Sequence, residues 1–243
     1  MNKKFTELAK KSKVIVIKVG SNILVNEKHV LRKKWLTSLI EDVQKLQKKG
    51  SKIIIVSSGA IALGRNILSK KKLTNLHEKQ AAASIGQIQL SQQWQKAFAK
   101  FNIQSSQILI TAEDLNERRK YLNIRNTIYS LMDLNVVPII NENDTTSTEE
   151  IRFGDNDKLS AMIANALSAE LLILLSDVNG LYTANPKKST DAKLITSVEE
   201  VDQEIEKYID KDLSEFGSGG MLAKVNAAKL CICLLYTSPS PRD

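Results

Sequence analysis

Five short runs of consecutive apolar, mostly β-branched residues limit this chain more than any other feature. They are Val14-Ile15-Val16-Ile17, Lys52-Ile53-Ile54-Ile55-Val56, Gln107-Ile108-Leu109-Ile110, Val136-Val137-Pro138-Ile139-Ile140 and Leu171-Leu172-Ile173-Leu174-Leu175. A strand with one wet face alternates apolar and polar residues. A run that is apolar throughout belongs to a strand covered on both faces, as in a parallel sheet between helices. Helical spacing fills the gaps. Residues 32–49 carry Trp35, Leu36, Leu39, Ile40, Val43 and Leu46 on one stripe, with Gly50 past the end as a C-cap. Residues 77–100 carry Ile85, Ile88, Trp94 and Phe98, residues 111–134 are helical with polar breaks, and residues 158–167 read as a further helix. The alternation predicts an α/β protein: a three-layer αβα sandwich with a mainly parallel central sheet. No internal repeat or low-complexity linker divides the chain.

Composition narrows the class. With 42% hydrophobic and 26% charged residues, disordered, collagen-like and disulfide-scaffold readings are excluded. No apolar window reaches the length of a membrane span, and residues 1–13 are polar and lysine-rich, unlike a secretory signal. Cys231 and Cys233 give neither a disulfide framework nor a zinc site, so a reducing cytoplasm is expected. The net charge of +8 is uneven: residues 1–100 are strongly basic and the remainder is acidic. A basic half can bind nucleic acid, or its lysines can decorate exposed helix faces. Lys33-Lys34, Lys48-Lys49 and Lys70-Lys71-Lys72 lack interleaved aromatics apart from Trp35, which fits an apolar stripe, so the second reading is preferred.

In open α/β sheets, ligands sit beyond the carboxyl ends of the strands. Those ends are Lys18-Val19-Gly20-Ser21, Ser57-Ser58-Gly59-Ala60, Asn141-Glu142-Asn143-Asp144 and Ser176-Asp177-Val178-Asn179-Gly180. Lys18 offers a point charge to a phosphate, or simply snorkels from a strand end. Ser57-Ser58-Gly59 opens a helix, as an anion site or as an ordinary cap with Ser58 as the capping residue. Six acids crowd residues 142–157, in a solvated loop or in loops gripping a charged small molecule. Asp155-Asn156-Asp157 precedes a helix, where carboxylates suit the dipole. The cluster Gly217-Ser218-Gly219-Gly220, with Lys224 one turn on, is a surface turn or a backbone wrap for phosphates.

Together these motifs resemble the amino acid kinase family, and within it the glutamate kinase branch. The matching segments are Ile17-Lys18-Val19-Gly20-Ser21, Val56-Ser57-Ser58-Gly59-Ala60-Ile61-Ala62-Leu63-Gly64 and Ile140-Asn141-Glu142-Asn143-Asp144. Gly154-Asp155-Asn156-Asp157-Lys158-Leu159-Ser160-Ala161, the stretch 177–186 with Gly180-Leu181-Tyr182-Thr183, and Ser218-Gly219-Gly220-Met221 running to Lys224 complete the set. The resemblance implies ATP-dependent phosphorylation of the γ-carboxylate of L-glutamate, with Mg²⁺ on the ATP phosphates and no protein-held metal. It implies that Lys18, Ser176, Asp177, Ser218, Gly219, Gly220, Met221, Leu222, Ala223 and Lys224 bind ATP. Ser58, Gly59, Asp144 and Asn156 would bind glutamate. Lys18 and Lys224 would stabilise the transferring group, with Asp157 organising them. It further implies a homo-oligomer and feedback inhibition by proline, with no membrane or nucleic-acid partner. The family usually carries Thr where Ser218 stands.

The chemistry is consistent with the residues. A glutamate carboxylate, with a pKa near ~4.3, is already an anion at pH 7 and needs no general base. His29 and His77 lie outside every motif and are expected at the surface. The kinase domain is expected over residues 1–233, incomplete at its C-terminus, with a last helix ending near Leu230. Residues 234–243, which contain Ser238-Pro239-Ser240-Pro241, are expected to be a non-native tail, since prolines bar a buried strand. Two rival readings remain: another acyl-phosphate-forming kinase of the same fold, and a nucleic-acid-binding module using the basic half.

Overall fold

The computed structural model describes residues 3–69, 72–147, 155–184, 186, 189–201, 205, 208 and 220–235. Its elements, in chain order, are α1 (Lys3–Lys11), β1 (Val14–Val19), α2 (Ser21–Leu24), α3 (Lys33–Gln47), β2 (Lys52–Ser57), α4 (Ala60–Ile67) and α5 (Leu76–Ala99). There follow β3 (Ser105–Ile110), α6 (Ala112–Asn116), α7 (Arg118–Asp133), β4 (Val137–Glu142), α8 (Asp155–Ala166), β5 (Leu171–Leu175), β6 (Leu181–Tyr182), β7 (Leu194–Ile195) and a last helix, here α9 (Gly220–Leu235).

The five apolar runs form one parallel sheet in the order β3-β4-β2-β1-β5. Strand parity divides its side chains between two cores. Ile15, Ile17, Val19, Ile53, Ile55, Val137 and Ile139 face Leu36, Ile40 and Val43 of α3 and Leu90, Trp94 and Phe98 of α5. Val16, Ile54, Val56 and Ile140 face Ile128 and Met132 of α7 and Leu159 and Ile163 of α8. Trp94 and Phe98 are fully buried and stack with ring centres 5.9 Å apart. Burying side chains of this size stabilises the fold by about 1.5–3 kcal/mol each.

Three expectations are corrected. First, β3 is not covered on both faces. It is an edge strand, so Gln107 and Leu109 are exposed. Second, Ile85 and Ile88 do not belong to the buried face of α5; Ile88 is 67% exposed, and the buried stripe is Ala82, Ala83, Gly86, Leu90, Trp94, Ala97 and Phe98. Third, the last helix continues past Leu230 to Leu235, because nothing before Tyr236 breaks a helix. The rest of the expected tail, residues 236–243, lies outside the described residues. Helices α1 and α2 and the antiparallel pair β6–β7 carry no expectation from the sequence.

Helices α4 and α5 approach more closely than side chains would allow. A Cβ built on Gly64 would lie 1.7 Å from the Ala82 carbonyl oxygen, and one on Gly86 would lie 1.8 Å from that of Ala60. These two glycines let α4 and α5 pack backbone to backbone.

Candidate active site

Lys18 shares the parity of Val14 and Val16, so it stands on the α8 side of the sheet. Its side chain is 8% exposed, and Nζ lies 2.6 Å from Asp157 Oδ1. Asp157 sits in the first turn of α8 and is 1% exposed. Its Oδ2 lies 3.2 Å from Nζ of Lys224 on α9, which also donates 3.1 Å to the Gly220 carbonyl one turn back. One buried carboxylate therefore bridges two ammonium groups. Burial holds the Lys18 ammonium below the ordinary lysine pKa of 10.5; Asp157 opposes that shift, and the like charge of Lys224 adds to it. Two cations against one anion leave the trio with one excess positive charge at the carboxyl end of β1, which suits a phosphate.

On the other face, Ser57 accepts 2.9 Å from Trp94 Nε1. The Ser58 N–H still donates to the Val19 carbonyl, 3.0 Å, so Ser58 continues the strand and does not cap α4, which sets aside the ordinary-cap reading of the two left open. Gly59 is the cap, with φ +115°, a left-handed conformation that favours glycine, and no side-chain bond. The Ser58 hydroxyl is thereby available to accept 2.8 Å from Asn156 Nδ2. Asn156 also donates 3.1 Å to Asn141 Oδ1, and Asn141 donates 2.7 Å to Gln87 Oε1.

The structure thus brings Lys18, Asp157 and Lys224 together, joins Ser58 to Asn156, and puts both groups at the start of α8. Asp144 and Ser176-Asp177 stand past the ends of β4 and β5, which flank β2 and β1 in the sheet. The turn holding Asp144 is tied down: Thr146 and Ser147 N–H donate to the Asn143 carbonyl, 3.1 Å each, and Gln80 donates 3.3 Å to the Ser147 carbonyl. Ser176 Oγ donates 3.3 Å to Asp177 Oδ1. Gly20 follows between Lys18 and β5; a Cβ there would lie in ordinary contact, 3.6 Å from Lys18 Nζ and 3.7 Å from the Leu175 carbonyl oxygen. Met221, Leu222 and Ala223 are half-buried in the first turn of α9, while Ser218 and Gly219 lie outside the described residues. His77 is exposed and His29 partly so. Gln87 and Asn141 received no role from the sequence. A lone glutamine on a helix gives no signal until the fold brings it against a strand end.

A five-stranded parallel sheet between helices, with Lys18 near the end of β1 and Lys224 on α9 sharing one carboxylate, places the chain among three-layer α/β proteins. The chain belongs to the amino acid kinase family, which matches residues 13–232. A glutamate 5-kinase of Pelagibacter ubique (strain HTCC1062) is 50% identical over 91% of this chain and 61% of its own length. One from Paramagnetospirillum magneticum (strain ATCC 700264 / AMB-1) is 46% identical over 91% of this chain and 60% of its own. The chain therefore spans about three fifths of the length of these curated relatives. The fold is shared with T. acidophilum isopentenyl phosphate kinase, in its product complex, at a TM-score of 0.58 and 13% identity, over 88% of this chain and 87% of that one. Among the described residues, no helix is long and apolar enough to cross a membrane.

Proposed function

We propose that this chain transfers the γ-phosphoryl group of ATP to the γ-carboxylate of L-glutamate, giving L-glutamyl 5-phosphate, the first intermediate of proline synthesis. The observation that carries it is the Asp157 carboxylate bridging Lys18 and Lys224 beside the Ser58–Asn156 pair. A carboxylate oxygen forms a bond to the γ-phosphorus as the bond to the ADP oxygen breaks. No proton moves, because the nucleophile is already an anion. The protein's task is alignment and neutralisation of charge. Lys18 and Lys224 supply the charge, and Asp157 holds them apart and aimed. Ser176, Asp177 and the segment 218–224 hold the nucleotide; Ser58, Gly59, Asp144 and Asn156 hold glutamate.

Among the described residues no three His, Cys, Asp or Glu side chains converge on a metal position. Asp157 is engaged on both oxygens. In this reading Mg²⁺ comes with the nucleotide, on whose phosphates it would neutralise charge. A homo-oligomeric state, proline inhibition in the glutamate pocket and a cytoplasmic location belong to the same reading.

ADP release measured with a panel of glutamate, aspartate, N-acetylglutamate and UMP tests the substrate. Turnover with glutamate alone supports the proposal, and turnover with another acceptor alone replaces it with a different kinase of the same fold. A gel shift that weakens steeply with salt would favour the nucleic-acid reading.

A further inference from the structure

Gln87 begins a chain of amides that ends at Asn156. Its Nε2 donates 3.3 Å to Ser91 Oγ, which leaves Oε1 to accept 2.7 Å from Asn141 Nδ2. That fixes the direction of the Asn141 amide, whose Oδ1 accepts 3.1 Å from Asn156 Nδ2. The second hydrogen of Asn156 Nδ2 goes to Ser58 Oγ, 2.8 Å. Both donors of Asn156 are committed, and its Oδ1 is buried with no hydrogen-bond partner among the described residues. A buried amide oxygen without a donor is costly, and a bound ligand can supply the donor. Gly86, next to Gln87, packs closely on α4: a Cβ there would lie 1.8 Å from the Ala60 carbonyl oxygen.

We propose that Gln87 is a positioning residue for the amino-acid substrate. By accepting from Asn141 it sets the polarity of that amide and, through it, of Asn156. Asn156 then offers the ligand an oxygen rather than an NH₂ group. The ligand group that fits is a donor, the α-ammonium of an amino acid; a carboxylate at the same atom is repelled. The inference rests on the reading of this site as one for glutamate.

The test compares the 243-residue chain with its Gln87→Leu and Gln87→Glu variants. Leucine fits beside the cavity of about 390 Å³ that Gln87 and Asn141 line, and glutamate keeps the acceptor. Gln87→Leu should raise the KM for glutamate about tenfold or more while the KM for ATP stays within about twofold, and Gln87→Glu should return the former to within about threefold of the parent. An unchanged KM for glutamate in Gln87→Leu overturns the proposal. An equal rise in both variants also overturns it, since Gln87 would then be donating. Hydrogen exchange of the Asn156 side-chain amide, read by NMR without ligand, separates the relay from the substrate assignment. If the parent chain does not phosphorylate glutamate, the substrate reading fails by itself. Faster exchange in Gln87→Leu alone still supports the relay, and identical exchange in all three proteins overturns it.

Discussion

Asn156 donates a hydrogen bond of 2.8 Å to the hydroxyl of Ser58, tying the start of α8 to the end of β2. The next residue, Asp157, holds Lys18 and Lys224. One turn of helix therefore joins the proposed glutamate side of the site to the proposed phosphate side, and substitutions on the two sides have different expected signatures.

Lys18→Ala and Lys224→Ala should each lower kcat on the order of 10²-fold, with little change in the KM for glutamate. Each lysine is aimed at charge that develops during transfer. Steady-state kinetics with both substrates varied checks this; unchanged kcat in both variants would remove the lysines from the mechanism.

The charge of Lys18 also sets an alkaline limit. Its folded pKa is lowered, chiefly by burial, so the ammonium loses its proton below the ordinary 10.5. We expect kcat to decline on the alkaline side before free lysine would titrate. The stability sign follows from linkage. Below the folded pKa both states hold this proton, and the group adds no slope. Between the folded pKa and 10.5 the unfolded chain binds more protons, so Lys18 makes stability rise with pH in that window. A pH–rate profile and urea melts at several pH values, with Lys18→Met as reference, read both effects.

Asp144→Ala should raise the KM for glutamate by about 30-fold or more and leave ATP affinity nearly intact, because the substrate's α-ammonium would lose a charged partner. Calorimetric titration with each ligand separates the two. Loss of ATP binding with glutamate binding unmoved would mean that the two sides have been assigned in reverse.

Gly86→Ala should destabilise the fold by about 1–3 kcal/mol or more and raise the KM for glutamate. Its Cβ would lie 1.8 Å from the Ala60 oxygen and 2.5 Å from the Gly64 nitrogen, so backbone must move. Urea denaturation measures the first effect. A denaturation midpoint equal to the parent's would show that the two helices are not held by this contact.

Where the sequence was informative, the reason is periodicity. The five continuous apolar runs marked the strands, and Lys18 stood out as the one charge near the end of the first; the face it takes, that of Val14 and Val16, came from the structure. Edge position was not legible in β3, because Ile108 and Ile110 look the same in a central strand as at an edge. For Ser58 the sequence left both a cap and an anion site open, because small residues at a helix start suit either; the structure gives the cap to Gly59 and the hydroxyl to Asn156. The fold alone brings Gln87 to Asn141, 54 residues apart in the chain.

The most direct measurement traps the product. The chain is incubated with ATP, Mg²⁺, L-glutamate and hydroxylamine, which converts an acyl phosphate to a hydroxamate. We predict γ-glutamyl hydroxamate in step with ADP release, and its loss in Lys224→Ala. ADP released at the same rate with no hydroxamate, or hydroxamate formed from another amino acid and not from glutamate, would contradict the account.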